Sequence, residues 1–417
     1  MTKILCGEDI GTLLGNRKLY IWGSGHFGAS ISRALLRAGL KLTGFLDTNM
    51  AGHEFLGYVV ENPETVLRKS NKDVFIIISA FLFTDILSKR CEEYGFSRGT
   101  DYLTHADIKK FHFEIDVSGL CNLRCITCPR GNSLFKRPDD GMMSAADYKK
   151  VLDKLILEIP FLSDVQLYSW GEPLLNPEIS EMISYTEANG IASAVSSNLS
   201  LKCDLESVLK AKPTWFRISL SGADEVQLAT IHRGGHWDLV LENMKRLSAL
   251  RDKIAPKMFV DVNYHLYRHN LDGVQKIAKL CKTLGFVFRT NYAFLDPLDL
   301  ILDYAEGQPL PVQAEEGRRL LLLDIDEAIE QSKHSPVYDC VSQNSFVINS
   351  DLSFRRCTHF YNDKDNIISK NILDEPLEEI LDRANLCELC TRCRIAGVQR
   401  FHFAYIDKGT EFGELTP

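Results

Sequence analysis

Cys121, Cys125 and Cys128 stand in the run Cys121-Asn122-Leu123-Arg124-Cys125-Ile126-Thr127-Cys128-Pro129. The Cys-x3-Cys-x2-Cys spacing supplies three thiolates and no fourth nearby. A structural zinc site closes four ligands around the ion in a tetrahedron, and three fall short of that. A four-iron cluster held by three cysteines leaves one iron open, where a small molecule can coordinate. Read from spacing alone, a zinc knuckle or a chance cluster of cysteines stays open beside the iron–sulfur reading.

The run resembles that of the radical SAM enzymes residue for residue at the cysteines. The resemblance implies that the open iron binds the amino and carboxylate groups of S-adenosylmethionine. One electron from the reduced cluster then cleaves the sulfur–carbon bond to give a 5′-deoxyadenosyl radical, which takes a hydrogen atom from the substrate. In that family the residue before the third cysteine is usually aromatic and packs near the adenine; here it is Thr127.

The elements that must position such a site can be read around it. Residues from about 111 to 300 alternate strand and helix patterns, which predicts a parallel sheet with outer helices. Strands are expected at Phe113–Val117, Asp164–Tyr168, Ile191–Val195, Trp215–Leu220, Met258–His265 and Phe286–Tyr292. Six strands fit the partial (β/α)6, TIM-like barrel of the radical SAM family, in which the chemistry sits at the C-terminal strand ends. The cysteine run follows the first strand.

The other strand ends carry further matches. Ser169-Trp170-Gly171-Glu172-Pro173 resembles the family's Gly-Gly-Glu-Pro element, with Trp170 in place of the first glycine. The resemblance implies that Gly171 and Glu172 meet the amino group of S-adenosylmethionine. Ser196-Ser197-Asn198-Leu199 is similar to the family's Thr-Asn-Gly segment. The fourth strand ends in Ser219-Leu220-Ser221-Gly222, and Arg233 follows with two glycines. By the same resemblance Ser197, Asn198 and Ser219 face the cofactor ribose. Arg233 would pair with the cofactor carboxylate, a task that suits a guanidinium fork. Taken singly, each of these residues also fits a turn or a helix cap. His265, Tyr267, Arg289 and Tyr292 are guesses for the pocket, each equally suited to core or surface.

Residues 1 to about 110 read as a small Rossmann-like α/β domain. A short β run, Lys18–Trp22, leads into Gly23-Ser24-Gly25-His26-Phe27-Gly28, then a helical pattern to Gly39, then a strand Leu42–Leu46 ending in Asp47. This order is the context that the dinucleotide fingerprint requires, with Gly23, Gly25 and Gly28 at a phosphate and Asp47 at a ribose. The segment is short for that purpose. It also resembles the Rossmann-like domains appended to bacterial polysaccharide- and sugar-modifying enzymes. A bound nucleotide and a docking or substrate-delivery module are both consistent with it.

From about 301 to 417 the barrel pattern stops. Glu315–Lys333 reads as one helix with apolar Leu320, Leu323, Ile325 and Ile329. Cys340, Cys357, Cys387, Cys390 and Cys393 follow, with a hairpin-like Phe346–Arg355 between the first two. This layout resembles the auxiliary-cluster domains called SPASM and, in shorter form, twitch. A full SPASM domain carries enough cysteines for two clusters, whereas five are present here. Leu352 stands where the family has a glycine ahead of the second cysteine. The resemblance implies one auxiliary 4Fe-4S cluster on Cys340, Cys357, Cys390 and Cys393, with Cys387 replacing one of these or staying free. A zinc ribbon is the rival, since Cys-x2-Cys pairs also bind zinc. His359, near Cys357, reads as a surface or hydrogen-bonded residue.

Composition bounds the partners. The chain has 417 residues, 45% hydrophobic and 25% charged, with a formal net charge of −8. That balance gives no footprint for nucleic acid or an anionic membrane. The start of the chain has acids where a signal peptide would be apolar, and the longest apolar run, 74–83, is too short to span a bilayer. A cytoplasmic protein is expected. Of its twelve cysteines, Cys6, Cys91, Cys203 and Cys281 lie outside the two groups and read as buried small apolar residues.

Together these readings predict an enzyme that cleaves S-adenosylmethionine with electrons from a reduced flavodoxin or ferredoxin. Its substrate would be a small polar molecule of the sugar, nucleotide-sugar or aminocyclitol kind. A peptide-modifying enzyme and a non-catalytic metal-binding scaffold are the alternatives.

Overall fold

The computed structural model describes residues 7–70, 72–80, 83–132, 141–159, 161–334, 340, 344–361, 364–402 and 404–405. Cys6 and positions 81–82 of the apolar run lie outside the described residues. The chain divides into two compact units. One comprises Met1–His112, Leu155–Val165 and Tyr185–Ser193; the other comprises Phe113–Lys154, Gln166–Ser184 and Ala194–Pro417.

The first unit contains β1 (Lys18–Trp22), β2 (Leu42–Leu46), β3 (Glu54–Phe55), β4 (Tyr58–Val59), β5 (Val74–Ile78) and β6 (Tyr102–Thr104). β1, β2, β5 and β6 form a parallel sheet in the order β2-β1-β5-β6, and β3 and β4 make a separate small hairpin. β5, Val-Phe-Ile-Ile-Ile, is buried at every position, as a strand covered on both faces must be. Strands β1 and β2 have the predicted bounds, and the helix His26–Arg37 lies between them.

A nine-stranded sheet holds β7 (Phe111–Ile115), β8 (Leu162–Gln166), β9 (Ala192–Ser197), β10 (Trp215–Leu220), β11 (Phe259–Leu266), β12 (Val287–Tyr292), β13 (Ser345–Ile348), β14 (Phe354–Arg355) and β15 (Ile367–Ser369). Its order is β12-β11-β10-β9-β8-β7-β13-β14-β15. Six strands thus progress in chain order with helices between them, and β9 to β12 pair in parallel. This is the arrangement of a partial (β/α)6 barrel. β7 ends two residues earlier than the sequence suggests, because the Val117 N–H turns back to donate to Ile115 O.

The change of pattern after residue 300 does not end the sheet. The predicted hairpin exists as β13 and β14, antiparallel to one another, and it extends the barrel sheet beside β7. Phe346 packs 5.8 Å from Phe113 and 5.3 Å from Phe354, ring centre to ring centre, which fastens the three strands together.

The single helix expected over Glu315–Lys333 is two helices, Val312–Arg318 and Ile325–Lys333. The intervening residues are drawn into other bonds. The Arg268 N–H donates to Leu320 O, and Leu321 bridges Tyr267. Asp324 then starts the second helix by accepting from the Asp326 N–H, an N-cap role for its carboxylate. Among the scattered cysteines, Cys91 and Cys281 are buried as expected, but Cys203 is half-buried. No helix among the described residues is long and apolar enough to cross a membrane.

Candidate cluster and cofactor sites

The cysteine run forms the loop that follows β7. Its backbone is stitched to the segment ahead of Gly234: the Arg124 N–H donates to Arg233 O, and the Ile126 N–H to Ile231 O. Leu123 and Ile126 are buried and anchor the loop, while the Cys128 N–H closes a turn on Cys125 O. Burial pushes the Cys121 thiol up to about 11 and Cys128 to about 12, and lifts Cys125 well above the ordinary thiol range. The like charges of neighbouring cysteines add to the shift of Cys125. Three such thiols ionise readily only when a cation replaces their protons, so the donor set fits a metal cluster.

Gly171 and Glu172 lie against this loop. A Cβ at Gly171 would fall 1.5 Å from Ser118 O, so no other residue fits there without moving the backbone. The Glu172 N–H donates to Leu120 O, one residue before the first cysteine of the run. The Glu172 carboxylate accepts from the Asn198 N–H at 3.0 Å, the Asn198 side-chain amide at 2.7 Å and the Leu174 N–H at 3.1 Å. Burial nevertheless pushes its pKa up to about 7. Asn198 reaches on to Asn122 Oδ1, inside the cysteine run. The predicted Gly171, Glu172 and Asn198 are therefore one hydrogen-bonded assembly with the cysteine loop.

Ser197 turns inward locally, its hydroxyl accepting from the Leu199 N–H. Leu199 occupies the glycine position of the Thr-Asn-Gly-like segment with a left-handed backbone, φ 51°. Asn243 holds it there by donating to Leu199 O and Leu201 O. Ser219 pairs its hydroxyl with that of Ser196 at 3.1 Å. The Arg233 backbone meets the cysteine loop, while its guanidinium pairs with Glu316 and is 41% exposed. Thr127 Oγ1 lies 2.7 Å from the Tyr267 hydroxyl, so an aromatic ring from beyond β11 abuts the position where the family has one in the run itself.

Among the pocket guesses, Tyr267 is thus beside the loop. His265 contacts Ser221 at 3.4 Å and Asn263 at 3.1 Å. Arg289 and Arg217 flank the fully buried Asp261, at 3.6 and 3.1 Å. Tyr292 packs on the apolar cluster around Leu295 and Leu298.

In the C-terminal segment, Cys340, Cys357, Cys390 and Cys393 line one cavity together with His359 and His402. Cys387 is not among the lining residues; its thiol donates to Asp365 O at 3.3 Å and hydrogen-bonds Cys390, pulling the Cys390 pKa down. Burial raises Cys357 to about 12 and Cys393 further. Asn366, fully buried, holds Cys357 from both sides: its Oδ1 accepts from the Cys357 N–H and its Nδ2 donates to Cys357 O. Sequence reasoning missed Asn366, since nothing in its neighbourhood marks it. Leu352, at the family's glycine position, has φ 70°. His359 is not a lone histidine, for it stacks on His402 with centroids 4.1 Å apart.

In the first unit the glycine loop joins β1 to the helix His26–Arg37. A Cβ at Gly28 would lie 2.1 Å from Gly23 O, so the third glycine lets the helix close onto the loop. Gly23 has φ 121°, and Gly25 precedes the helix as its N-cap. Asp47 is occupied internally. One carboxylate oxygen accepts from the Ser24 N–H and hydroxyl, the other from the Asn49 and Met50 N–H groups. Asp47→Ala is accordingly expected to lower the chain's stability by about 1–3 kcal/mol whether or not a nucleotide binds, as read by denaturant unfolding.

The six-strand parallel series carries a three-cysteine loop after its first strand. Residues 115–281 match the family described as the Radical SAM superfamily, a match that fits a 4Fe-4S cluster and S-adenosylmethionine as cofactors. Mycofactocin maturase MftC of Mycobacterium tuberculosis is 25% identical over 177 residues, 42% of each chain. GTP 3′,8-cyclase of Clostridium botulinum is 27% identical over 139 residues, 32% of this chain and 42% of that protein. The match therefore spans well under half the length of either relative. Among solved structures, Streptococcus suis SuiB bound to precursor peptide SuiA has a TM-score of 0.46 at 17% identity, covering 65% of this chain and 64% of that one. At such scores the solved structures carry no argument about activity.

Proposed function

We propose that Cys121, Cys125 and Cys128 hold the 4Fe-4S cluster of a radical SAM enzyme that takes a hydrogen atom from an unactivated carbon of a small polar substrate. The substrate class is a sugar, nucleotide-sugar or aminocyclitol-like molecule. A second 4Fe-4S cluster on Cys340, Cys357, Cys390 and Cys393 supports oxidation or electron transfer. The observation that carries the reading is the assembly of the three-cysteine loop with Gly171, Glu172 and Asn198 in one hydrogen-bond network. When bound and reduced, the first cluster supplies the electron that breaks the sulfur–carbon bond of S-adenosylmethionine. A reduced flavodoxin or ferredoxin is the proposed donor.

The protein's own groups bind and orient. Asn198 fixes the Glu172 carboxylate, which accepts a hydrogen bond from the cofactor amino group. Ser197 and Ser219 are assigned to the ribose, and Arg233 to the carboxylate once it exchanges Glu316 for the ligand. The polar set Arg217, Asp261, Asn263 and Arg289 on β10 to β12 supports a hydroxylated substrate, which needs fixed hydrogen-bond partners.

Glu172→Ala is expected to weaken S-adenosylmethionine binding about 10–100-fold, the worth of a charge-assisted hydrogen bond. Because the Glu172 carboxyl is neutral below about pH 7, affinity in the parent protein should climb as pH rises through that value and flatten above it. Calorimetric titration across that range checks both, and a flat profile removes Glu172 from the amino-group contact.

A second reading, a peptide-modifying enzyme, draws support from the match to mycofactocin maturase, at an identity close to that of the cyclase. Anaerobic turnover with 5′-deoxyadenosine as the readout decides between them. Stimulation by sugars or nucleotide-sugars supports the first reading; stimulation by short peptides alone supports the second. A colourless, zinc-loaded protein without cofactor cleavage would favour the scaffold reading.

A further inference from the structure

Asp296, His359 and His402 gather their ligating atoms within 4.8 Å of one another. His359 and His402 border the auxiliary cysteine cavity and Asp296 lies near Cys128, but none of the three has been assigned as a ligand there. Asp296 Oδ1 and His402 Nε2 lie 3.2 Å apart, yet both are buried atoms without an aligned hydrogen bond. Leaving two such atoms unsatisfied costs on the order of 1–3 kcal/mol each. Their proximity without alignment fits two lone pairs aimed at a common third partner. His359 stacks on His402 at 4.1 Å with the ring planes 37° apart, and Phe294 covers the other side of His402 at 4.4 Å.

The surrounding backbone fixes the group between the two sets of cysteines. The Asp296 N–H donates to Thr127 O, within the first run, and Asn132 Nδ2 holds Asp296 O at 2.6 Å. The Leu298 N–H donates to His359 O, and both histidines line the cavity of Cys340, Cys357, Cys390 and Cys393.

We propose that Asp296, His359 and His402 form a mononuclear site for a divalent transition metal, distinct from both cysteine sets. Two imidazoles and one carboxylate are the donor set of open zinc and non-haem iron sites, with remaining positions for water or a substrate oxygen. The ion satisfies the orphaned carboxylate oxygen and imidazole nitrogen at once, which a lone proton shared by two misaligned atoms does not.

The test uses zinc as the probe on the full chain with its iron–sulfur clusters already loaded, under anaerobic conditions. After incubation with zinc salt and desalting, zinc, iron and sulfide are counted by mass spectrometry and colorimetry. The parent is expected to retain about one zinc per chain with iron unchanged, and Asp296→Asn and His402→Gln are each expected to retain none. Absence of zinc in the parent, or parent-like zinc in both variants, would overturn the proposal. So would iron lost in step with zinc gained, which would mean that zinc had entered the cysteine sites. Iron loss in both variants would also overturn it, by assigning these residues to the auxiliary cluster. Zinc and iron are counted separately, so the result stands apart from any failure of cofactor cleavage.

Discussion

Cys125→Ser is expected to abolish 5′-deoxyadenosine formation by anaerobically reconstituted protein supplied with dithionite and S-adenosylmethionine. Burial raises the Cys125 thiol first, and the neighbouring Cys128 and Cys121 raise it further. A serine hydroxyl there keeps its proton, ligates iron poorly and leaves two thiolates where three are needed. The loop itself should survive, because its backbone bonds to Ile231 and Arg233 do not involve the sulfur. The expected result is therefore a folded protein with lowered iron and no cofactor cleavage. Full activity in this variant would sink the cluster assignment.

Cys357→Ser is expected to halve the iron, from about eight to about four per chain, while leaving cleavage of S-adenosylmethionine in place. Cys357 opens into the cavity it shares with Cys340, Cys390 and Cys393, and Asn366 keeps its backbone where it is. A serine would thus present a hydroxyl at an unmoved position, which isolates the loss of one ligand from the loss of the fold. Substrate turnover should fall even though cofactor cleavage persists, since the second cluster is assigned to the later electron. Unchanged iron would remove the auxiliary-cluster assignment, and iron rescued by Cys387 would place that thiol in the ligand set.

How far the sequence carried depended on how local each signal was. Trp215–Leu220, Lys18–Trp22 and Leu42–Leu46 are strands with the bounds their composition suggests, because side chains a few residues apart decide them. The cysteine spacing is likewise local, and the glycine of Ser169-Trp170-Gly171-Glu172 is enforced by a contact with Ser118 that its own residue type foreshadows. What was illegible involves partners far apart in the chain. The helix expected over Glu315–Lys333 breaks because Leu320 and Leu321 bond to Tyr267 and Arg268. His359 looked solitary because Asp296 and His402 are distant in sequence, and Asn366 carries no mark of the cysteine it holds. Leu199 and Leu352 mislead in another way. Each adopts a left-handed backbone that family glycines would accept freely, so the conformation is retained although the residue that signals it is gone.

The continuous sheet has a consequence for electron movement. Cys121 follows the strand β7, and Cys357 follows β14, two places along in the same ladder of hydrogen bonds. The placement of Cys357 relative to Cys121 is thus tied to backbone pairing across β7, β13 and β14. Tunnelling between redox centres decays steeply with separation, and a tethered pair would spend most of its time too far apart. Were both proposed clusters in place, mounting Cys121 and Cys357 on one hydrogen-bonded sheet would hold their gap steadier than a flexible linker could.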